Sequence, residues 1–363
     1  MKTEDIKKKL KPKPPAPQPT SKDYLSTGST LLNMALTGKP NWGYLKGLVY
    51  DYVGDSRSGK TWLCLVALAE ASLRPDFQDY RLIYDNVEKG ALMNMTKYFG
   101  ERMVKRLEPP AMTKDKQPRY SYLLEDFYFN VWNALDGGRP FIYVLDSMDS
   151  LTSGQELEKF QERKKAREED KETTGSMTDG KAKINSQNMR LLVGPIYERG
   201  SILLVIHQTR HRMGIGATYQ PKTRGGGDAP TFYATMEIWT KVVGKITKHV
   251  NGKDRQVGNY CEAETKKDRM GGKDRIVTIP ILTSSGVDDV GSCVDYLVEE
   301  KHWTKGKSGI IAPDLELEGS REKIIRHIET EGLERDVQEI VADVWDEIER
   351  QCEVQRKNRY AEA

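Results

Sequence analysis

Short apolar runs recur through the middle of the chain, each closed by a polar or glycine-rich stretch. They predict buried strands at 48–53, 81–84, 141–145, 202–206 and 236–239. Stretches with helical spacing lie between them. Ser26-Thr27-Gly28-Ser29 is a cap-like cluster ahead of Leu31-Leu32-Asn33-Met34-Ala35-Leu36, and Trp62 to Glu70 follows the first strand directly. Strand and helix alternate to about residue 285, which predicts an α/β fold: a mostly parallel central sheet flanked by helices. Beyond residue 290 the pattern is helical. Val337, Ile340, Val341, Val344, Trp345 and Ile348 form one stripe that reads as core packing in a small C-terminal helical domain. The expected organisation is a tail at 1–25, a core at 26–288 and a C-terminal domain at 289–363.

Charge changes the picture at three places. The opening stretch places Lys7, Lys8, Lys9, Lys11 and Lys13 among Pro12, Pro14 and Pro15, with Pro17 and Pro19 behind, and so reads as an extended basic tail. It serves either as a solvated linker or as an arm that touches phosphate or a neighbouring subunit. The segment 154–183 mixes both charge signs and reads as a solvent-facing helix or an open loop. The segment 210–228 carries Arg210, His211, Arg212, Lys222 and Arg224 without an acid until its last residue, with Tyr219 midway and Gly225-Gly226-Gly227 near its end. Cations beside an aromatic ring suit single-stranded nucleic acid, whose backbone is neutralised while a base stacks; an ordinary surface loop is the plain alternative. Overall, 57 Lys and Arg face 54 Asp and Glu, a net charge of +3 that by itself proves no nucleic-acid partner. No apolar run approaches the roughly 18 residues of a membrane span, so no membrane partner and a cytoplasmic setting are expected. Cys64, Cys261, Cys293 and Cys352 are widely separated and suggest neither zinc nor disulfides.

The strongest chemical signal is Gly54-Asp55-Ser56-Arg57-Ser58-Gly59-Lys60-Thr61, a G-x-x-x-x-G-K-T phosphate loop between a predicted strand and a predicted helix. Glycine lets successive N–H groups turn toward one phosphate, and the helix N-terminus adds its positive end there. Lys60 would reach the β- and γ-phosphates of ATP and Thr61 would ligate Mg²⁺. Asp146, closing a later strand, would hold Mg²⁺ beside Thr61. Hydrolysis needs a carboxylate near the attacking water. Glu88 is the candidate, with Asp85 competing for the role and a surface turn as the plain reading. Gln208, at the end of the strand before the basic segment, would sense the γ-phosphate or simply close that strand.

The order of these landmarks resembles the RecA recombinase family. It is carried by Ser26-Thr27-Gly28-Ser29, Gly54 to Thr61, Tyr143-Val144-Leu145-Asp146-Ser147, His207-Gln208-Thr209-Arg210, Gly225-Gly226-Gly227 and Thr231-Phe232-Tyr233-Ala234, over roughly residues 26–300. The resemblance implies a RecA-like phosphate-loop core and a DNA-dependent ATPase. It also implies a homo-oligomeric filament on single-stranded DNA that pairs with homologous duplex, with ATP between neighbouring subunits. On that resemblance 154–183 and 210–228 occupy the positions of two DNA-binding loops. Arg210, Arg212, Tyr219, Lys222, Arg224, Gly225 and Gly226 are the candidate DNA contacts, while Lys267 and Arg269 match a basic pair that reaches a neighbour's ATP. Read from their residues alone, Lys267 and Arg269 are equally well solvated charges on a hairpin. The resemblance further implies a cytoplasmic, nucleoid-associated protein of a bacterial or phage-infected cell.

Three departures stand against it. The family's glutamate follows the aspartate by two positions, where this chain has Val87, and Glu88 comes one residue later, so a local bulge is needed. The first loop is longer and more acidic than the family pattern, and the N-terminal region is reduced to the proline-rich tail. A ring helicase or translocase on the same core, or an accessory module that binds ATP and single-stranded DNA with little hydrolysis, are the competing functions.

Overall fold

The computed structural model describes residues 18–169, 180–211, 222–224 and 232–356. Order starts earlier than the predicted Ser26. A 3₁₀ turn at Ser21–Asp23 is followed by β1 (Tyr24–Leu25), which pairs with β2 (Tyr44–Leu45) on the far side of α1 (Thr30–Thr37). Tyr24 and Leu25 are buried, and Tyr24 stacks on Trp42 with ring centroids 4.7 Å apart. Two apolar residues therefore end the proline-rich segment inside the core. The rest of the predicted tail, residues 1–17, lies outside the described residues.

The core then runs β3 (Val49–Gly54), α2 (Lys60–Leu73), β4 (Arg81–Asn86), α3 (Met95–Arg106) and β5 (Leu107–Glu108). A small ribbon, β6 (Ala111–Met112) with β7 (Pro118–Arg119), leads to α4 (Leu124–Asp136) and β8 (Phe141–Asp146). Next come α5 (Gly154–Glu168), α6 (Gly180–Arg199), β9 (Ile202–His211), β10 (Lys222–Arg224), β11 (Met236–Val250), β12 (Lys253–Asp268), β13 (Ile276–Leu282) and β14 (Gly286–Val287). The sheet order is β14-β13-β12-β11-β3-β9-β8-β4-β5, with β10 paired to β9. From β11 to β5 all neighbours are parallel, whereas β12, β13 and β14 are antiparallel.

Alternation along each strand sends successive side chains to opposite faces. Ile142 and Val144 join one apolar layer with Tyr52, Leu204 and the helices α1 to α3, while Phe141, Tyr143 and Leu145 join the other with α4 and α6. With both faces covered, the central strands read as unbroken apolar runs, which is why the sequence located them.

Of the two readings of the mixed-charge stretch the structure shows the helix, and two other segments differ from expectation. The mixed-charge stretch is helical from Gly154 to Glu168, where Ser153 and Glu156 form a reciprocal cap, and helix resumes at Gly180; residues 170–179 lie outside the described residues. The predicted strand at 236–239 is the root of a far longer hairpin, β11 and β12. Past the hairpin, α7 (Asp289–Glu299), α8 (Arg321–Glu331) and α9 (Glu334–Cys352) bracket a three-stranded sheet of β15 (Thr304–Lys305), β16 (Ile310–Ala312) and β17 (Leu317–Gly319) that the helical reading did not include. Val337, Val341, Val344 and Trp345 are buried in the main apolar layer, with Ile340 and Ile348 packed against it, as the stripe predicts. Among the described residues no helix is long and apolar enough to cross a membrane.

Candidate functional site

The phosphate-loop sequence joins the carboxyl end of β3 to the first residue of α2, beside the strand where the sheet's connections diverge. Two of its glycines are required sterically. A Cβ on Gly54 would lie 2.3 Å from the Thr240 carbonyl oxygen; one on Gly59, whose φ is +90°, would lie 2.6 Å from Ile281 Cδ1. Ser58 Oγ meets Thr240 Oγ1 at 2.7 Å, so β11 buttresses the loop. Lys60 donates from Nζ to the carbonyls of Gly54 at 2.8 Å and Asp55 at 2.7 Å. Burial lowers its ammonium below the usual lysine range, opposed by the charges of Asp146, Glu88 and Asp55.

Asp146, the last residue of β8, accepts from Thr61 Oγ1 at 2.9 Å and from the Tyr84 hydroxyl at 3.0 Å. Burial nevertheless raises its carboxyl above the ordinary aspartate value. Glu88 reaches the same pocket through a tight turn after β4 rather than a strand bulge. Val87 N–H bonds the Asp85 carbonyl at 3.0 Å, and Glu88 N–H bonds the Asp146 carbonyl at 3.1 Å. Val87 packs into the apolar layer and Glu88 is left at the pocket rim, which accounts for the one-residue displacement. The Glu88 carboxylate accepts from Ser147 Oγ, from Ser150 Oγ at 3.0 Å and from Gln208 Nε2 at 2.7 Å.

Asp85 lies elsewhere. It is fully buried, accepting from Ser121 N–H at 3.0 Å, Ser121 Oγ at 2.6 Å and the Tyr143 hydroxyl at 2.7 Å, and it does not line the pocket. Its geometry is that of a core carboxylate, whereas Glu88 lines the pocket.

Gln208 is anchored by its own backbone, whose N–H donates to Asp149 Oδ2 at 2.7 Å, and Thr209 Oγ1 donates to Asp55 Oδ1. The end of β9 is thus tied to the phosphate loop and to Glu88 at once. Sequence reading missed Tyr84, Ser147, Asp149, Ser150, Thr209 and Thr240. The hydroxyl-rich run Ser147-Met148-Asp149-Ser150 directly after Asp146 was the available signal for three of them.

The pocket lined by Ser58, Gly59, Lys60, Thr61, Glu88 and Asp146 holds about 370 Å³, with Arg57, Trp62, Met93, Cys261 and Thr283 completing its walls. It suits a nucleotide: loop backbone and a helix N-terminus for the phosphates, with apolar side chains such as Trp62, Met93 and Ile281 among its walls. Thr61 and Asp146 offer hard oxygens of the kind Mg²⁺ takes. Beside them the buried Asn86 Oδ1, opposite Asp146 in the β4–β8 register, has no hydrogen-bond partner among the described residues. Among the described residues no group of three His, Cys, Asp or Glu could hold a metal alone.

Lys267 and Arg269 stand apart from this pocket. Lys267 lies opposite Glu237 near the start of β11, while the phosphate loop adjoins the Thr240 level. Lys267 Nζ donates to the Ala234 carbonyl at 2.8 Å and Arg269 Nη2 to the Phe232 carbonyl at 2.7 Å. Of the candidate DNA contacts, Arg210 lies in β9 and Lys222 and Arg224 in β10, which folds back along residues 209–211. Arg212, Tyr219, Gly225 and Gly226 lie outside the described residues.

A mostly parallel sheet with a phosphate loop after β3, Glu88 beyond β4 and Asp146 at the end of β8, defines a RecA-like α/β core with a small C-terminal domain. Residues 143–288 match the RecA N-terminal domain family. Over more of its length the chain is similar to proteins named Protein RecA. It is 27% identical over 309 residues to that of Rhodopirellula baltica, covering 85% of this chain and 73% of the relative. It is 24% identical over 332 residues to that of a Nitratiruptor species, covering 90% and 84%. It is 27% identical over 287 residues to that of Xylella fastidiosa, covering 77% and 71%. The resemblance to the RecA family is borne out by these matches together with the fold.

Proposed function

We propose that the protein is an ATP-dependent DNA recombinase. In this reading it binds single-stranded DNA, assembles into a helical filament with ATP between subunits and pairs the strand with homologous duplex, in the cytoplasm of a bacterial or phage-infected cell. The observation that carries the proposal is the link from Glu88 through Gln208 to Thr209 and Arg210. One side chain joins the carboxylate at the pocket rim to the strand that enters the basic segment, so the state of the pocket and the position of that segment are mechanically coupled.

The residues divide the work as follows. Backbone N–H groups of the loop and Lys60 bind the β- and γ-phosphates, and Glu88 orients and deprotonates the attacking water. Mg²⁺, held by Thr61 and Asp146, would supply charge neutralisation between the phosphates. Gln208 exchanges its bond to Glu88 for one to the γ-phosphate, which frees the carboxylate and shifts the strand leading to Arg210, Arg212, Tyr219, Lys222 and Arg224. The separation of Lys267 and Arg269 from their own chain's pocket accords with their serving the ATP of a neighbour. Gly225 and Gly226 let the backbone approach the DNA closely.

The test is ATP turnover with and without single-stranded DNA, with Lys60→Ala as control and negative-stain imaging of the same mixtures. DNA-stimulated turnover with helical filaments is the expected outcome. Closed rings would replace the recombinase by a helicase or translocase. Nucleotide binding without turnover above the Lys60→Ala background would replace it by an accessory module.

A further inference from the structure

The β11–β12 hairpin outruns the sheet that holds it. β3 pairs with β11 only at 236–240 and β13 with β12 only at 258–264, so the part of the hairpin beyond both, residues 247–257, is a two-stranded arm without a third strand among the described residues. The arm turns at Asn251 and Gly252, both with positive φ, the pattern of a tight two-residue hairpin turn. It carries Lys248, Lys253 and Arg255 against one carboxylate, Asp254. That carboxylate is taken by His249 at 2.8 Å, and Lys241 is taken by Glu262 at the root.

The register sorts the remaining charges. Lys248 lies directly opposite Arg255 and Val250 opposite Lys253, while His249 faces Asp254. Alternate residues share a face, so Lys248, Lys253 and Arg255 stand together on one face of the tip and the His249–Asp254 pair on the other. Like charges directly opposite across a ribbon are destabilising. A polyanion laid along that face would relieve the repulsion.

We propose that the cationic face of this arm, Lys248, Lys253 and Arg255, docks on the phosphate backbone of duplex DNA with the ribbon seated in the major groove. A two-stranded ribbon is an element that groove admits. The tip lacks the aromatic or large apolar anchor that a protein partner would bury, its one apolar side chain being Val250, which favours a phosphate backbone. The contact deepens the recombinase reading by giving it a duplex site, and rests on that reading for its role though not for its chemistry.

The experiment measures binding of the full chain to a short blunt duplex by fluorescence anisotropy across salt concentrations. Native protein is compared with Lys248→Gln/Lys253→Gln/Arg255→Gln and with a charge-matched control, Lys114→Gln/Lys305→Gln/Lys307→Gln. Circular dichroism confirms that each is folded. Three lost phosphate contacts flatten the log–log salt slope by about 2.7, so the native advantage shrinks roughly 40-fold between about 50 and 200 mM salt. The control is expected to stay near the native slope. An arm variant with the native slope, or one no different from the control, overturns the proposal. So does a variant that keeps duplex binding but loses self-association in sedimentation, which would assign the arm to a second copy of the chain. Single-stranded DNA binding and ATP turnover are read on the same samples: their absence from native protein sinks the recombinase reading while leaving the duplex slope to judge the arm.

Discussion

Gln208 donates its side-chain amide to Glu88 at 2.7 Å, bridging the end of β9 and the turn after β4 across the mouth of the pocket. The same carboxylate takes hydroxyls from Ser147 and Ser150, so Glu88 is held by three donors from two different segments. A carboxylate so held is oriented but not free.

That arrangement separates two variants. Glu88→Gln is expected to lower ATP turnover by about 10²–10⁴-fold while nucleotide binding persists. Gln208→Ala is expected to keep basal turnover within a few-fold of native but to lose stimulation by single-stranded DNA. Phosphate release with and without DNA reads both, and a Gln208→Ala protein with full stimulation would refute the coupling.

Nucleotide affinity is expected to be bell-shaped in pH. Burial raises the Asp146 carboxyl, so the ionised form needed to ligate a cation is lost on acidification at a higher pH than for an ordinary aspartate. Burial lowers the Lys60 ammonium, so its charge is lost on the alkaline side earlier than for an ordinary lysine. Fluorescent-nucleotide titrations with and without Mg²⁺ across pH check this. Asp146→Asn is expected to remove the Mg²⁺-dependent acid limb alone.

Asp85 supplies a contrast within the same strand. Asp85→Ala leaves the Ser121 and Tyr143 hydroxyls without their acceptor, at a cost of about 1–3 kcal/mol for each buried group left unpaired. Chemical denaturation is expected to show that loss, while nucleotide affinity at a temperature where the variant is folded stays near native. A turnover defect as deep as that of Glu88→Gln, in folded protein, would return Asp85 to the site.

Arg275 ties the C-terminal helix to the core. It bonds Glu349 in α9 through Nε at 3.0 Å, bonds the Ala35 carbonyl in α1 at 3.2 Å, and lies 5.5 Å from the Trp345 ring centre. Arg275→Ala is expected to cost about 1.5–3 kcal/mol, seen as a lower melting temperature. Burial would raise the Glu349 carboxyl, but hydrogen bonds from Lys273 and Arg275 outweigh it and hold it below the ordinary value of 4.5. A lowered carboxyl contributes stability above pH 4.5 that is lost as pH falls through the folded value. Glu349→Gln should therefore flatten the acid limb of the stability curve, and an unchanged limb would count against the pair.

Which parts were legible follows from what burial does to composition. A strand covered on both faces is apolar at nearly every position, so β3, β8 and β9 stood out as runs despite the buried Asp51 and His207. The phosphate loop was legible because backbone geometry at Gly54 and Gly59 tolerates no Cβ and therefore constrains residue type. The outer half of the β11–β12 hairpin was invisible for the opposite reason: it buries neither face, so no apolar period marks it, and only its pairing register reveals the cationic trio.

By itself the sequence determined the α/β core, the phosphate loop and the order of chemical landmarks along the chain, because each is written in local residue type. Tertiary structure alone decided that Asp85 is buried in the core while Glu88 lines the pocket. Both sit within one four-residue stretch, and only the turn that sends Val87 into the apolar layer shows which carboxylate meets Gln208 from a strand 120 residues away. Hydrogen bonds between segments so distant in sequence depend on chain crossing, and no local pattern encodes them.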